Sequence, residues 1–121
     1  MCGIAGYIGT ESLSGKNIET TLDLMKQRGP DNRAHCSLTA SSGMKVELLH
    51  SRLSILDLDH RSDQPFECDG CVLVFNGEIY NYVEVRAELE KRGRTFRTTS
   101  DTEVLIQAYL EYGQDCVSHF T

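Results

Sequence analysis

The 121-residue chain has no apolar run near the roughly 20 residues that a membrane-crossing helix needs. It also lacks a basic stretch leading into a hydrophobic block at its start, so no secretory signal is expected. Positive charge is not in excess either: 12 Lys and Arg stand against 18 Asp and Glu, a formal charge of -6. That balance argues against a nucleic-acid partner, because binding to phosphates needs a basic face. Internal repeats, low-complexity segments and Pro/Gly/Ser-rich linkers are missing, which at this length points to a single domain. Five cysteines (Cys2, Cys36, Cys68, Cys71 and Cys116) form an odd, scattered set, read here as free thiols in a reducing cytoplasm. What remains is 40% hydrophobic and 25% charged, the composition of a soluble globular domain rather than a disordered tail.

Hydrophobic spacing gives an alternation of strands and helices. Residues 1–9 form an apolar run broken by Gly3, Gly6 and Gly9, suited to a buried strand that other backbone approaches closely. Ile18, Leu22 and Met25 recur at helical spacing, and Arg28-Gly29-Pro30 should stop that helix. Residues 34–40 and 44–55 read as two strands joined by Ser41-Ser42-Gly43. Residues 66–68 and 71–75 flank Asp69-Gly70, the pair preferred in a two-residue hairpin turn. A helix is expected over residues 81–92, with Tyr82, Val85 and Leu89 as its apolar stripe, then a short strand over residues 95–98. Ser100 and Glu103 have capping-box spacing and should open a helix that Gly113 closes. Residues 114–121 look like the start of another element.

Four places carry candidate chemistry. Cys2 follows the initiator methionine, and removal of Met1 would leave a thiol and an α-amine on one residue. Their ordinary pKa values, roughly 8.5 and 7.7–8.0, are matched, so the amine can take the thiol proton. Read alone, position 2 is an ordinary small residue; Gly3-Ile4-Ala5-Gly6 instead places it at the head of a buried strand. Asn76-Gly77-Glu78 offers a side-chain amide and an unobstructed backbone N–H, the two donors that an oxyanion needs. Alone it is an Asn-Gly turn, but Asp69-Gly70 already supplies the turn of that hairpin. Arg52 could grip a substrate carboxylate in a two-point contact or simply face solvent from its strand. Asp101 could hold a substrate ammonium group or merely complement a helix dipole. Arg52 and Asp101 together would hold both charged ends of an α-amino acid. Arg28 and Asp31 could brace the nucleophile from behind. His50 reads as a packed or hydrogen-bonded strand histidine. Cys68 and Cys71 face each other across the hairpin, a lone CxxC without the second pair that a structural zinc site wants.

In order, Cys2-Gly3-Ile4-Ala5-Gly6, Arg28-Gly29-Pro30-Asp31, Arg52-Leu53-Ser54-Ile55-Leu56-Asp57, Asn76-Gly77-Glu78-Ile79-Tyr80-Asn81 and Ser100-Asp101-Thr102-Glu103 resemble the motifs of class II glutamine amidotransferases. The set is most similar to the glutaminase domain of glutamine-hydrolysing asparagine synthetases. The resemblance implies an α+β fold, the α-β-β-α sandwich of the N-terminal nucleophile hydrolases. It implies attack by Cys2 on the side-chain amide of glutamine, a thioester, and ammonia for asparagine synthesis. Asn76 and Gly77 would form the oxyanion hole. Arg52, Glu78, Asp101 and the backbone of Ile55 would bind glutamine. ATP and magnesium would belong to a separate synthetase domain or subunit, so no cofactor or metal is expected within these residues. Relatives continue past the region matching Ser118-His119-Phe120-Thr121. The sandwich is therefore expected to be incomplete at its C-terminal end, with an exposed apolar face that favours self-association. Four functional readings stand at this point: a glutaminase, a glutamine-binding fragment with weak turnover, the front half of an amidotransferase with another ammonia acceptor, such as a surface sugar or a secondary metabolite, and a structural or metal-bridged fragment using Cys68 and Cys71.

Overall fold

A computed structural model describes residues 1–54 and 59–121. Among them the chain is α+β, with two antiparallel sheets and three α-helices. In chain order the elements are β1 (Gly3–Gly9), α1 (Gly15–Met25), β2 (Asn32–Thr39), β3 (Lys45–Arg52), β4 (Phe66–Cys68), β5 (Cys71–Leu73), α2 (Tyr82–Lys91) and α3 (Asp101–Tyr112). Short 3-10 turns cover His60–Ser62 and Gly113–His119.

The larger sheet has the order β1-β3-β2, so β3 is central and hydrogen-bonded on both sides. One face of it, through Leu49 and Ala5, packs against Ile18, Leu22 and Met25 of α1. Ser14 caps α1, its hydroxyl accepting from the Asn17 N–H at 3.2 Å. On the opposite face, Ile4 lies across from His50 and Ile8 across from Val46. Burial along that face falls with distance from the β3 C-terminus: His50 is buried, whereas Ile8 is 69% exposed.

The smaller sheet is the β4–β5 hairpin, with Cys68 directly opposite Cys71. Its turn forms as the sequence predicts: Asp69 and Gly70 both have positive φ, 47° and 79°, as a type I′ turn requires. The hairpin contacts α3, and α2 and α3 enclose a core of Val85, Leu89, Val104, Ala108 and Cys116. Tyr82, Phe96, Tyr112 and Phe120 pack around it.

Three expectations need correction, all for one physical reason. The strand expected over residues 95–98 is absent. Its backbone N–H groups at Arg97 and Thr98 donate to the buried Glu103 carboxylate at 2.6–3.1 Å, and the Thr95 carbonyl accepts from Gln107 Nε2, so no partner strand is needed. The same use of Glu103 leaves the capping box half formed. Ser100 Oγ accepts from the Glu103 N–H at 3.3 Å, while the Ser100 N–H turns to Thr98 Oγ1. The strand expected to reach Phe75 ends at Leu73, because the Phe75 N–H donates to Gln64 Oε1 at 2.5 Å and its carbonyl accepts from His50 Nε2 at 3.3 Å. Side chains have taken over backbone groups that a ladder would otherwise satisfy.

Residues 114–121 continue as the 3-10 turn and then extended chain. They are tied to the start of α2: the Tyr80 N–H donates to the Thr121 carbonyl, and Asn81 exchanges hydrogen bonds with His119 and Thr121.

Candidate active site

β1 and β3 run antiparallel with Gly3 opposite Ser51, which brings the residue before β1 beside the residues after β3. Cys2 therefore meets Leu53. The Leu53 N–H donates to Cys2 Sγ at 3.3 Å, and the thiol lies 3.6 Å from the Leu53 carbonyl. One residue thus fixes the sulfur twice.

The loop Arg28-Gly29-Pro30-Asp31 braces this junction. Arg28 Nε donates to the Cys2 carbonyl at 3.3 Å. Asp31 Oδ2 accepts from the Ser54 N–H at 2.7 Å, and the Asp31 N–H donates to the Arg52 carbonyl at 3.0 Å. Gly29 sits directly on the end of β3: a Cβ there would fall 2.1 Å from the Ser51 carbonyl oxygen. Only glycine lets this loop approach so closely. Both residues expected to support the nucleophile thus reach its immediate surroundings.

A cavity of about 370 Å³ opens at this point. Cys2, Arg52, Asn76, Gly77, Glu78 and Asp101 all line it, although they come from four separate stretches of chain. Ile55 lies outside the described residues. Arg52 is the last residue of β3 and only 6% exposed, so the solvent-facing alternative does not hold. Its Nη1 donates to Asp63 Oδ1 at 2.6 Å and to the Asp59 carbonyl at 3.2 Å. Asn76 and Gly77 follow β5, and a side chain at position 77 would meet the Phe75 ring at 2.9 Å. The glycine therefore lets the chain beside the cavity pass close to that ring.

Asp101 opens α3 and is buried, with Oδ2 accepting from the Ile79 N–H at 3.1 Å. Burial pushes its carboxyl above the ordinary Asp range, the Glu78 charge pushes the same way, and backbone N–H groups pull against both. A cation bound between Glu78 and Asp101 would relieve that strain on the ionised form. The cavity therefore places a guanidinium, a thiol, two amide-type donors and two carboxylates within one small space.

His50 is 1% exposed, and burial lowers its pKa below that of an ordinary histidine. Its ring meets the Phe75 carbonyl, which agrees with its reading as a packed strand residue. All five cysteines are free. Among the described residues, no group of three or more His, Cys, Asp or Glu is placed to hold a metal ion. Among the described residues, no helix is long and apolar enough to cross a membrane.

Sequence reasoning missed several participants. Ser62, Gln64, Tyr80 and Thr102 also line the cavity, and Asp63 holds Arg52. Gln64 links two of its walls, accepting from the Phe75 N–H and donating to Thr102 Oγ1 at 3.3 Å. No periodicity or spacing marks Asp63 or Gln64, whose bonds to Arg52, Phe75 and Thr102 each span more than ten positions of sequence.

The family described as "Glutamine amidotransferase domain" matches residues 1–121. The chain is 34% identical over 126 residues to asparagine synthetase [glutamine-hydrolyzing] 3 of Bacillus subtilis, covering 98% of this chain and 20% of that protein. It is 40% identical over 122 residues to a putative asparagine synthetase [glutamine-hydrolyzing] of Mycobacterium tuberculosis, covering 93% and 18%. It is also 37% identical over 133 residues to the amidase chry2 of Gibberella zeae, covering 98% and 19%. The chain thus spans about a fifth of the length of these relatives.

Proposed function

The chain belongs to the glutamine amidotransferase domain family, and on that premise we propose that it hydrolyses glutamine to glutamate and ammonia through a thioester on Cys2. The observation that carries this reading is the convergence of Cys2, Arg52, Asn76, Gly77, Glu78 and Asp101 on one cavity. Glutamine has three groups to recognise, and the cavity offers one partner set for each. Arg52 takes the α-carboxylate as a charge-assisted pair. Glu78 and Asp101 take the α-ammonium. The side-chain amide then reaches Cys2.

Removal of Met1 frees the α-amine of Cys2, which acts as the base. It accepts the thiol proton, and the sulfur adds to the amide carbon. The carbonyl π electrons move to oxygen, where the Asn76 side-chain N–H and the Gly77 backbone N–H stabilise the negative charge. One such donor is worth about 3 kcal/mol of transition-state stabilisation. The tetrahedral intermediate collapses, the C–N bond breaks, and the protonated amine returns its proton to the leaving nitrogen, releasing ammonia. Water, deprotonated by the same amine, then cleaves the thioester to glutamate and restores the thiol.

The packing of α1 on the three-stranded sheet and of α3 on the hairpin supports an N-terminal nucleophile hydrolase sandwich. The names of the relatives support a synthetase domain or subunit that uses the ammonia to make asparagine.

Ammonia release from glutamine, measured with Met1 removal verified by intact mass, tests the proposal. Cys2→Ala should lower the rate by about a thousandfold or more. Hydrolysis that survives the substitution removes Cys2 from the mechanism.

A further inference from the structure

Arg52 enters the cavity from the last position of β3, and its guanidinium is held by a second layer of groups. Nη1 donates to Asp63 Oδ1 at 2.6 Å, with the two side chains only 7% and 19% exposed. The other carboxylate oxygen of Asp63 is engaged as well. Asn32 Nδ2 donates to Oδ2 at 2.6 Å, and His60 Nδ1 lies 3.0 Å from it. Asn32 stands directly opposite Arg52 in the β2–β3 register. The carboxylate that orients the arginine is therefore anchored to the very strand pair that carries it. Asp63 stands behind the cavity wall, between the lining residues Ser62 and Gln64.

An arginine side chain samples many rotamers, and fixing it only upon binding costs affinity. A half-buried, doubly anchored carboxylate selects one of those rotamers in advance. We propose that Asp63 is the positioning residue for Arg52, setting the affinity of the cavity for the α-carboxylate of an amino-acid substrate without touching that substrate. This inference rests on the glutaminase reading. It adds to that reading a specific residue and a specific part of the ligand.

The test separates positioning from a merely structural role by removing the carboxylate from the ligand. Calorimetry in the full protein compares Cys2→Ala with Cys2→Ala/Asp63→Asn, using L-glutamine and its α-amide, L-glutaminamide. Positioning predicts that Asp63→Asn weakens glutamine binding about tenfold and leaves glutaminamide binding within about twofold. An equal loss for both ligands overturns the proposal in favour of a structural role, and unchanged glutamine affinity overturns it outright. Should Asp63→Asn not fold, Asn32→Ala, which removes one anchor of Asp63, should give the same selective loss at a smaller size. An equal loss for both ligands in that variant, or none, again overturns the proposal. Absence of glutamine binding by the Cys2→Ala protein overturns the glutaminase reading itself, and this inference with it.

Discussion

Among the described residues, α1 and the three-stranded sheet bury only Ile18, Leu22 and Leu49 in their shared core, whereas the hairpin half encloses five buried residues between α2 and α3. The sheet half compensates little on its other face, where Ile4 and Ile8 remain about half or more exposed. Yet the thin half supplies the thiol and the guanidinium of the cavity, and the thick half supplies the amide donors and both carboxylates. The difference lies in what holds each set. Cys2 and Arg52 are placed by backbone: a strand register, a glycine contact and the bracing loop 28–31. Asp101 is placed by the end of a helix anchored in a core, with Gln64 and Glu103 tying the loops around it. One half positions by close backbone approach, the other by packing.

If that contrast is right, damage to the two halves should differ in kind. Gly29→Ala should have the largest effect, because the new Cβ meets backbone that cannot swing away. A loss of about 3 kcal/mol is expected in urea unfolding, together with loss of ammonia release, since the end of β3 must shift. Near-native stability in that variant would show that the close approach is dispensable.

Leu89→Ala removes a fully buried side chain from the α2–α3 core. It should cost about 2 kcal/mol in the same unfolding assay. The fraction that stays folded should keep its KM for glutamine, because none of the residues that make up its core cluster lines the cavity. A matched rise in KM would mean that the core and the site are coupled more tightly than the contrast allows.

The smallest effect belongs to His50, which joins the halves through the Phe75 carbonyl. Its folded pKa is lowered by burial, so protonation favours the unfolded chain. The stabilising contribution is full above the unfolded value, near 6.5, and is lost as pH falls through that value toward the lower folded one. From pH 7.5 to 5.0 the unfolding free energy in urea should therefore drop more for the parent than for His50→Gln. Parallel drops would show that the junction is insensitive to this proton.

Much of this was legible in the residues themselves. The Asp69-Gly70 turn, the Ser100 cap and the stop at Arg28-Gly29-Pro30 each follow from rules that act within four or five positions. The chemical set was legible for another reason: a thiol beside an α-amine, an Asn-Gly after a strand and an acid opening a helix are unusual in combination. The misread elements were the strands at residues 71–75 and 95–98. There the apolar pattern suits a strand, but Gln64, His50 and Glu103 reach in from elsewhere and occupy the backbone groups.

The turns, the helix starts and stops and the candidate groups of the cavity were therefore legible in sequence alone, because turn geometry, capping and functional-group chemistry are local properties. Tertiary structure alone decided where each strand yields to the cavity and which residue orients Arg52. Those choices depend on hydrogen bonds between positions brought together only by folding, and a buried donor accepts whichever partner the packed chain delivers to it.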